Sequence, residues 1–102
     1  MVKHIIMWKL QEMTPVEREV VIRGIKENLE ALNGKIPGLL SLKVETDRIK
    51  ADGPDLLLDS TFEDAQALAA YAVHPLHTAV ADTFVRPFTA MRTCFDYTVR
   101  ED

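Results

Sequence analysis

The sequence is poor in cysteine and has no long uninterrupted hydrophobic run. Cys94 is the one cysteine among 102 residues, so an internal disulfide is impossible and a disulfide-stapled secreted fold is excluded. No apolar segment approaches the roughly 20 residues that a membrane-spanning helix needs, and the first residues lack the pattern of a signal peptide. We therefore expect a protein without a membrane partner, located in the reducing cytoplasm.

Positive charge is also scarce. The chain has 12 Lys and Arg residues against 16 Asp and Glu residues, a formal net charge of -4, which is the opposite of a surface built to grip phosphates. Nucleic acid is therefore not an expected partner. Apolar residues make up 47% of the chain, enough for a core, and 102 residues suit one domain better than two. Residues 1–102 are predicted to form a single domain.

The first half of the sequence predicts a strand, a helix and a second strand. Residues Val2–Lys9 are rich in Val, Ile, Met and Trp, and both faces of such a strand carry apolar groups, which is typical of a central strand covered on both sides. Thr14 and Pro15, followed by Glu17, carry the features of a capping box, and Asn33-Gly34 supplies a stop about five turns later. Apolar and polar residues then alternate from Leu40 to about Thr46. This order predicts β, α, β.

The second half of the sequence predicts a third strand, a broken helical region and a fourth strand. After a charged loop, Asp55–Phe62 predicts a third strand, and the alanine-rich run that follows is a strong helix former. The helix is expected to break at His74-Pro75, to restart, and to be limited by Pro87. Alternation from Met91 to Val99 predicts a last strand. The complete order is βαββαβ.

This order predicts an α+β fold of the ferredoxin-like, split βαβ type. Its four-stranded antiparallel sheet has the first and third strands in the centre and both helices on one face, so the other face is open. Ile5, Met7 and Leu57 are placed at the centre of that open face, and the expected rim consists of Lys43, Asp59, Arg92 and Asp96. An apolar centre with a charged rim is typical of an interface, so we predict a homodimer. The alternative is a monomer with a modest exposed patch.

The histidines and one tyrosine form the candidate site. All three histidines, His4, His74 and His77, belong to two segments that this fold can bring to one end of a pocket. His77 lies near a helix start, where added positive charge is disfavoured, so it is expected to be neutral and available as a general base. The Tyr71 hydroxyl could steady or protonate an enolate oxygen. Together these residues predict proton abstraction beside a carbonyl group.

Each of these residues also has a purely structural interpretation. His74 precedes a proline and suits a helix cap, whereas His4 on an apolar strand face suits a hydrogen-bonded core histidine. Tyr71 and His77 suit ordinary packing. Trp8 could stack on a flat ligand, but an aromatic residue in a central strand is usually core. The sequence does not decide between these structural roles and the functional ones.

A metal site is a further alternative, because three histidines can hold zinc and leave a position open for water. No carboxylate is clearly placed beside them in sequence, and Pro75 restricts the residues on either side of it. We therefore predict neither a metal nor a cofactor. Arg86, which precedes Pro87, is expected to form a structural salt bridge or an interface contact.

Several segments resemble the stress-responsive A/B barrel family over nearly the whole chain. The segments are MVKHIIMWKL, GKIPGLLSLKV, Leu57–Phe62, Tyr71-Ala-Val-His-Pro-Leu-His77, Val85-Arg-Pro and Phe95-Asp-Tyr97. The resemblance implies a dimeric α+β barrel in which two sheets pack face to face, with a pocket between sheet and helices. The most diagnostic run is the one from Tyr71 to His77.

One plant member of this family is a polyketide cyclase, and the resemblance implies roles for individual residues. A tyrosine and a histidine matching Tyr71 and His77 perform its acid–base chemistry, with histidines matching His4 and His74 nearby. Two other pocket positions of that enzyme, a tyrosine and a histidine, correspond to Leu29 and Leu56 here. The same substrate is therefore not expected.

These observations lead to a functional hypothesis with two alternatives. The hypothesis is a homodimer that binds a small molecule, with Tyr71 and His77 as catalytic residues and His4, His74 and Trp8 as substrate-binding residues. One alternative is a non-catalytic dimeric stress or scaffold protein. The other is a cofactor-free monooxygenase or a haem-handling protein, since related dimeric α+β barrels include both.

Overall fold

A computed structural model describes residues 1–100 of the chain. In order, its elements are β1 (Val2–Leu10), α1 (Pro15–Glu30), β2 (Leu39–Glu45), β3 (Leu56–Phe62), α2 (Ala65–Ala72), α3 (Pro75–Val80), a π-helical turn (Ala81–Val85), a 3₁₀ turn (Arg86–Phe88) and β4 (Thr89–Thr98). Within the described residues, no helix combines the length and the apolarity needed to cross a membrane.

The strands form one four-stranded antiparallel sheet in the order β2-β3-β1-β4. β1 and β3 are central, which confirms the predicted α+β, ferredoxin-like arrangement. The helix-facing side of the sheet carries the buried residues Ile6, Trp8, Val44 and Leu58, which pack with Ile25 of α1 into one hydrophobic core. Side chains that alternate along each strand therefore point in turn to the hydrophobic core and to the open face of the sheet, as the sequence predicted.

The start of α1 confirms Thr14 as the N-cap, but the Glu17 carboxylate contacts the Thr14 hydroxyl and not the Thr14 backbone N–H that a full capping box would use. The Thr14 hydroxyl accepts a hydrogen bond from the Glu17 backbone N–H at 3.2 Å and donates one to the Glu17 carboxylate at 3.0 Å. The end of the helix also differs from the prediction. The helix ends at Glu30, before Asn33. The Asn33 side chain donates a hydrogen bond of 2.9 Å to the Glu30 carbonyl group at the helix end, and it also exchanges two hydrogen bonds of 2.8 Å with the backbone of Leu42. Asn33 thus satisfies backbone groups of the edge strand β2.

The region before β4 also differs from the prediction of a single helix reaching toward Pro87. α3 ends at Val80 and is followed by the π-helical turn and then by the 3₁₀ turn, in which Pro87 lies. Proline lacks a backbone N–H, and its ring collides with the carbonyl group four residues earlier, so a regular helix cannot continue through Pro87. π-helical turns recur at functional sites. This one contributes to the cavity described below.

The open face of the sheet contains the three apolar residues predicted for it. Ile5 and Met7 are two positions apart on β1 and therefore point to the same face, and Met7 pairs with Leu57 of β3. β4 extends the face, because Ile5 pairs with Phe95, and Phe95 and Tyr97 are 67% and 44% exposed. Large aromatic side chains are thus exposed on the side of the sheet that carries no helix.

The predicted rim of the open face was wrong for Arg92 and Asp96. Antiparallel partners point to the same face, and β4 pairs Arg92 with Trp8 and Asp96 with His4. Both side chains therefore lie on the helix-facing side of the sheet. Lys43 and Asp59, which pair with each other across β2 and β3, do belong to the open face.

Gly38 lets α2 approach the turn that leads into β2. Its φ angle is 82°, and its carbonyl group accepts a hydrogen bond from the Glu63 N–H at 2.9 Å. A Cβ atom at this position would collide with the Cβ atom of Ala67 in α2. Both the backbone conformation and the close approach therefore require glycine.

We expect Gly38→Ala to lower the free energy of unfolding by roughly 2–4 kcal/mol, because it adds a steric collision to the strain of a positive φ angle. Gly34→Ala is the matched control, since Gly34 has a φ angle of 78° but a Cβ atom there would meet nothing within 4 Å. It should cost only about 1 kcal/mol. Urea denaturation measures both, and equal losses would contradict a tight contact at Ala67.

Candidate ligand-binding and acid–base site

A cavity of about 190 Å³ lies between the helix-facing side of the sheet and the helical segments that follow α2. Its apolar wall consists of Ile6, Trp8, Leu29, Leu58, Leu68 and Val85. Its polar wall consists of His4, Tyr71, His77, Thr89, Arg86 and Arg92. An apolar cavity with a few convergent polar groups is the usual form of a small-molecule site.

Tyr71 and His77 meet because the helix is broken between them. In an unbroken helix, residues six positions apart point about 120° away from each other. α2 ends at Ala72 and α3 begins at Pro75, so the chain changes direction between the two residues. The Tyr71 and His77 rings consequently lie 4.2 Å apart between centroids, at an interplanar angle of 32°.

The neutral form of His77 is favoured in this position. Its Nδ1 atom lies 3.3 Å from the Ala72 carbonyl oxygen. A carbonyl group only accepts, so Nδ1 carries the hydrogen in this contact and Nε2 keeps a lone pair. Burial lowers the pKa of His77, and the positive charges of Arg86 and Arg92 lower it further. The predicted cause of neutrality was the helix N-terminus, whereas burial is the main cause.

The Tyr71 hydroxyl is a buried donor that lacks a partner in the part of the chain that the structure describes. Tyr71 is 2% exposed, and its hydroxyl oxygen makes no hydrogen bond with any group of residues 1–100. Burial also raises the pKa of Tyr71, which keeps the hydroxyl protonated. Buried hydroxyl groups are nearly always paired, so this one is an exception that requires an explanation.

His4 is held by β4. It is 7% exposed, and its Nδ1 atom lies 2.5 Å from a carboxylate oxygen of Asp96, its register partner. Its ring also approaches Tyr71 edge-on, with 6.4 Å between centroids. His4 is therefore a hydrogen-bonded core histidine that also lines the cavity.

His74 lies outside the cavity. Its side chain caps α3, with Nδ1 accepting a hydrogen bond from the Leu76 N–H at 3.1 Å. The capping alternative therefore describes His74, and the geometry does not support its expected contact with substrate. Trp8, 4% exposed, does line the cavity as part of the core. The structure thus brings together His4, Trp8, Tyr71 and His77.

Sequence reasoning missed Arg92 and Asp96 as residues of the site. The alternation in β4 already placed them on one face, but the identity of that face depends on the register with β1. Arg86 also reaches the cavity, while forming the structural ion pair expected for it, with Asp82.

Within residues 1–100, one group of three side chains has the spacing needed to hold a metal ion. It consists of His4, Cys94 and Asp96, whose ligand atoms lie within 4.8 Å of one another. Burial and the hydrogen bond to Asp96 raise the pKa of the Cys94 thiol, which disfavours the thiolate that metals bind. The three-histidine alternative is not formed, because His74 caps α3.

Comparison with known proteins identifies relatives along the whole chain. The family model of the stress responsive A/B barrel domain matches residues 2–99, which confirms the resemblance seen in the sequence. Olivetolic acid cyclase from Cannabis sativa is 29% identical over 101 residues, which cover 98% of this chain and 98% of that protein.

Solved structures with the same fold are also similar. A dimeric protein of unknown function with a ferredoxin-like fold from Bacteroides fragilis is 32% identical, with a TM-score of 0.87 over 96% of this chain and 95% of that chain. Hydroxynitrile lyase from Passiflora edulis is 20% identical, with a TM-score of 0.74 over 99% of this chain and 94% of that chain. The latter similarity concerns the fold alone.

We expect NMR titration to give His77 a pKa below its ordinary value of 6.5, because burial and the nearby Arg86, Arg92 and His4 oppose its charge. The unfolded chain then takes up this proton first, so stability is lost as the pH falls from 6.5 toward the folded pKa. Replacing His77 by Gln should remove that loss.

The matched variants for this titration are Arg92→Gln, which should raise the pKa of His77, and Arg23→Gln, which should leave it unchanged. Arg23 is exposed on α1 and does not line the cavity. A His77 pKa at or above 6.5 in the wild-type protein would contradict the burial that the structure gives this ring.

Proposed function

The chain belongs to the stress responsive A/B barrel domain family, and on that basis we propose a homodimeric, cytoplasmic protein that binds a small molecule in its cavity. We further propose that His77 and Tyr71 perform acid–base chemistry on that molecule. The single thiol of the chain fits a reducing compartment.

The observation that carries the proposal is the unpaired Tyr71 hydroxyl beside a neutral imidazole. Leaving a buried hydroxyl unpaired costs about 1–3 kcal/mol, and a phenylalanine would avoid that cost. An oxygen atom of a bound molecule would supply the missing acceptor. The tyrosine and the histidine would then contact the same ligand, because their rings are 4.2 Å apart.

The chemistry that suits this pair is proton removal from a carbon atom next to a carbonyl group. Nε2 of His77 takes the proton, and the electron pair of the C–H bond moves to the carbonyl oxygen as an enolate. The Tyr71 O–H group stabilises that oxygen by donating a hydrogen bond. In a cyclisation, the enolate carbon then attacks a second carbonyl of the same molecule. A carbon–carbon bond forms, the π electrons of that carbonyl move to its oxygen, and the resulting alkoxide takes the proton back from His77.

The similarity to olivetolic acid cyclase supports this class of reaction, and the cavity wall argues for a different substrate. Leu29 is 2% exposed and lines the cavity with a side chain that offers no hydrogen bond. A substrate of this chain would therefore present an apolar group to that part of the wall.

The open face of the sheet is the proposed dimer interface. Met7, Phe95 and Tyr97 are exposed there without a helix to cover them. Exposed patches of this kind usually mark interaction sites, and the Bacteroides fragilis relative is dimeric. Two copies of the sheet packed face to face would bury these side chains.

We expect the protein to accelerate deuterium uptake from D₂O into carbon 3 of 2-pentanone, followed by NMR. Replacing His77 by Gln removes the base and should lower the catalysed rate by about 10²–10⁴-fold. Tyr71→Phe should also lower it, because the enolate oxygen loses its donor. Arg23→Gln is the control and should match the wild type. Binding of 2-pentanone without exchange would favour the non-catalytic alternative.

A stability measurement separates a catalytic Tyr71 from a structural one. The hydroxyl has no partner among residues 1–100, so Tyr71→Phe should leave the free energy of unfolding unchanged or raise it by about 1 kcal/mol. A large loss of stability would instead mean that the hydroxyl supports the fold.

For the interface, Phe95→Asp should convert the dimer to a monomer in analytical ultracentrifugation, because two charges would face each other in an apolar contact. Val20→Lys is the control, since Val20 is 63% exposed on α1, away from the open face. A Phe95→Asp protein that stays dimeric would exclude this face as the interface.

A further inference from the structure

The polar wall of the cavity is positive, although the chain as a whole is negative. Acidic residues outnumber basic ones by 16 to 12 in the sequence. The charged side chains in the lining are nevertheless Arg86 and Arg92, because His77 is neutral and no Asp or Glu of residues 1–100 lines the cavity. Asp96 lies next to the lining, where it is bonded to His4. The charge around the cavity is therefore opposite in sign to the net charge of the chain.

The two arginines differ in what they already bind. Arg86 forms an ion pair with Asp82, which neutralises part of its charge. Arg92 forms no ion pair with any carboxylate of residues 1–100. A guanidinium group stays charged at any accessible pH and presents a planar fork that matches a carboxylate. Arg92 is thus the cavity residue available to an anion.

We infer that the cavity selects a small carboxylate with an apolar body, whose charge is held at the mouth by Arg92, assisted by Arg86. This inference rests on the proposed function, in which the cavity binds a small molecule.

The size and the apolar wall of the cavity define the rest of the ligand. Its volume of about 190 Å³ is below the range of about 300–1,000 Å³ of typical ligand pockets, so the acid is short. Leu29, Leu58 and Leu68 line the part that would receive the apolar body. Phosphate sites commonly use several backbone N–H groups at a helix start, and a mostly apolar wall suits a carboxylate better.

A bound anion would also act on the general base. The arginines lower the pKa of His77, and a carboxylate between them and the imidazole would offset that effect. A charged ligand would therefore raise the pKa of His77 and make its Nε2 a stronger base. A neutral ligand of the same shape would not.

The test compares hexanoate with hexanamide, which have the same shape and differ in charge. Calorimetry should show that the wild-type protein binds hexanoate about ten-fold more tightly, and amide NMR shifts should locate both in the cavity. Arg92→Gln should bring the two affinities close together by weakening hexanoate alone. Arg23→Gln removes the same charge from α1 and should preserve the difference. Hexanoate, but not hexanamide, should raise the pKa of His77.

The outcomes separate this inference from the proposed function. Equal affinities for hexanoate and hexanamide in the wild-type protein would overturn charge selection and leave cavity binding intact. Tighter binding of butyl phosphate than of hexanoate would overturn the assignment to carboxylates. Failure of both six-carbon ligands to bind would overturn the inference together with the binding function on which it rests.

Discussion

The pairing of β1 between β3 and β4 is the constraint on which the rest of the structure depends. β1 is apolar on both faces, and its register with its two neighbours decides which side chains enter the core and which stay on the open face. Successive strand residues point to opposite faces, so a shift by one position would exchange the two sets. The same register brings Asp96 to His4 and Arg92 to the cavity. Core, open face and candidate site therefore share one cause.

The break between α2 and α3 is the second local feature that the site requires. Pro75 starts a new helix and His74 caps it, so the stacking of Tyr71 on His77 follows from a change of chain direction. The π-helical turn that follows completes the wall with Ala81 and Val85. Irregular backbone is thus concentrated in the helical segments that line the cavity, whereas the sheet beneath it shifts register near the end of β1 and near the start of β2.

The sequence predicted the fold closely and the site partly. The strands, the N-cap at Thr14 and the break at His74-Pro75 were predictable because each depends on residues within a few positions of one another. The position at which α1 ends was not, because the Asn33 side chain joins the Glu30 carbonyl group to the backbone of β2, which is distant in sequence. The prediction of open-face residues was correct for Ile5, Met7 and Leu57. It was wrong for Arg92 and Asp96 of β4, which lie on the helix-facing side of the sheet.

The sequence by itself determined the order of the elements, the two-sided apolar strand at the centre of the sheet, and the grouping of Tyr71 with His77. Tertiary structure alone decided that Asp96 holds His4 and that Arg92 lies in the lining of the cavity. The physical reason is sequence distance. His4 and Asp96 are 92 positions apart, and no local sequence pattern determines the strand register that brings such distant segments together.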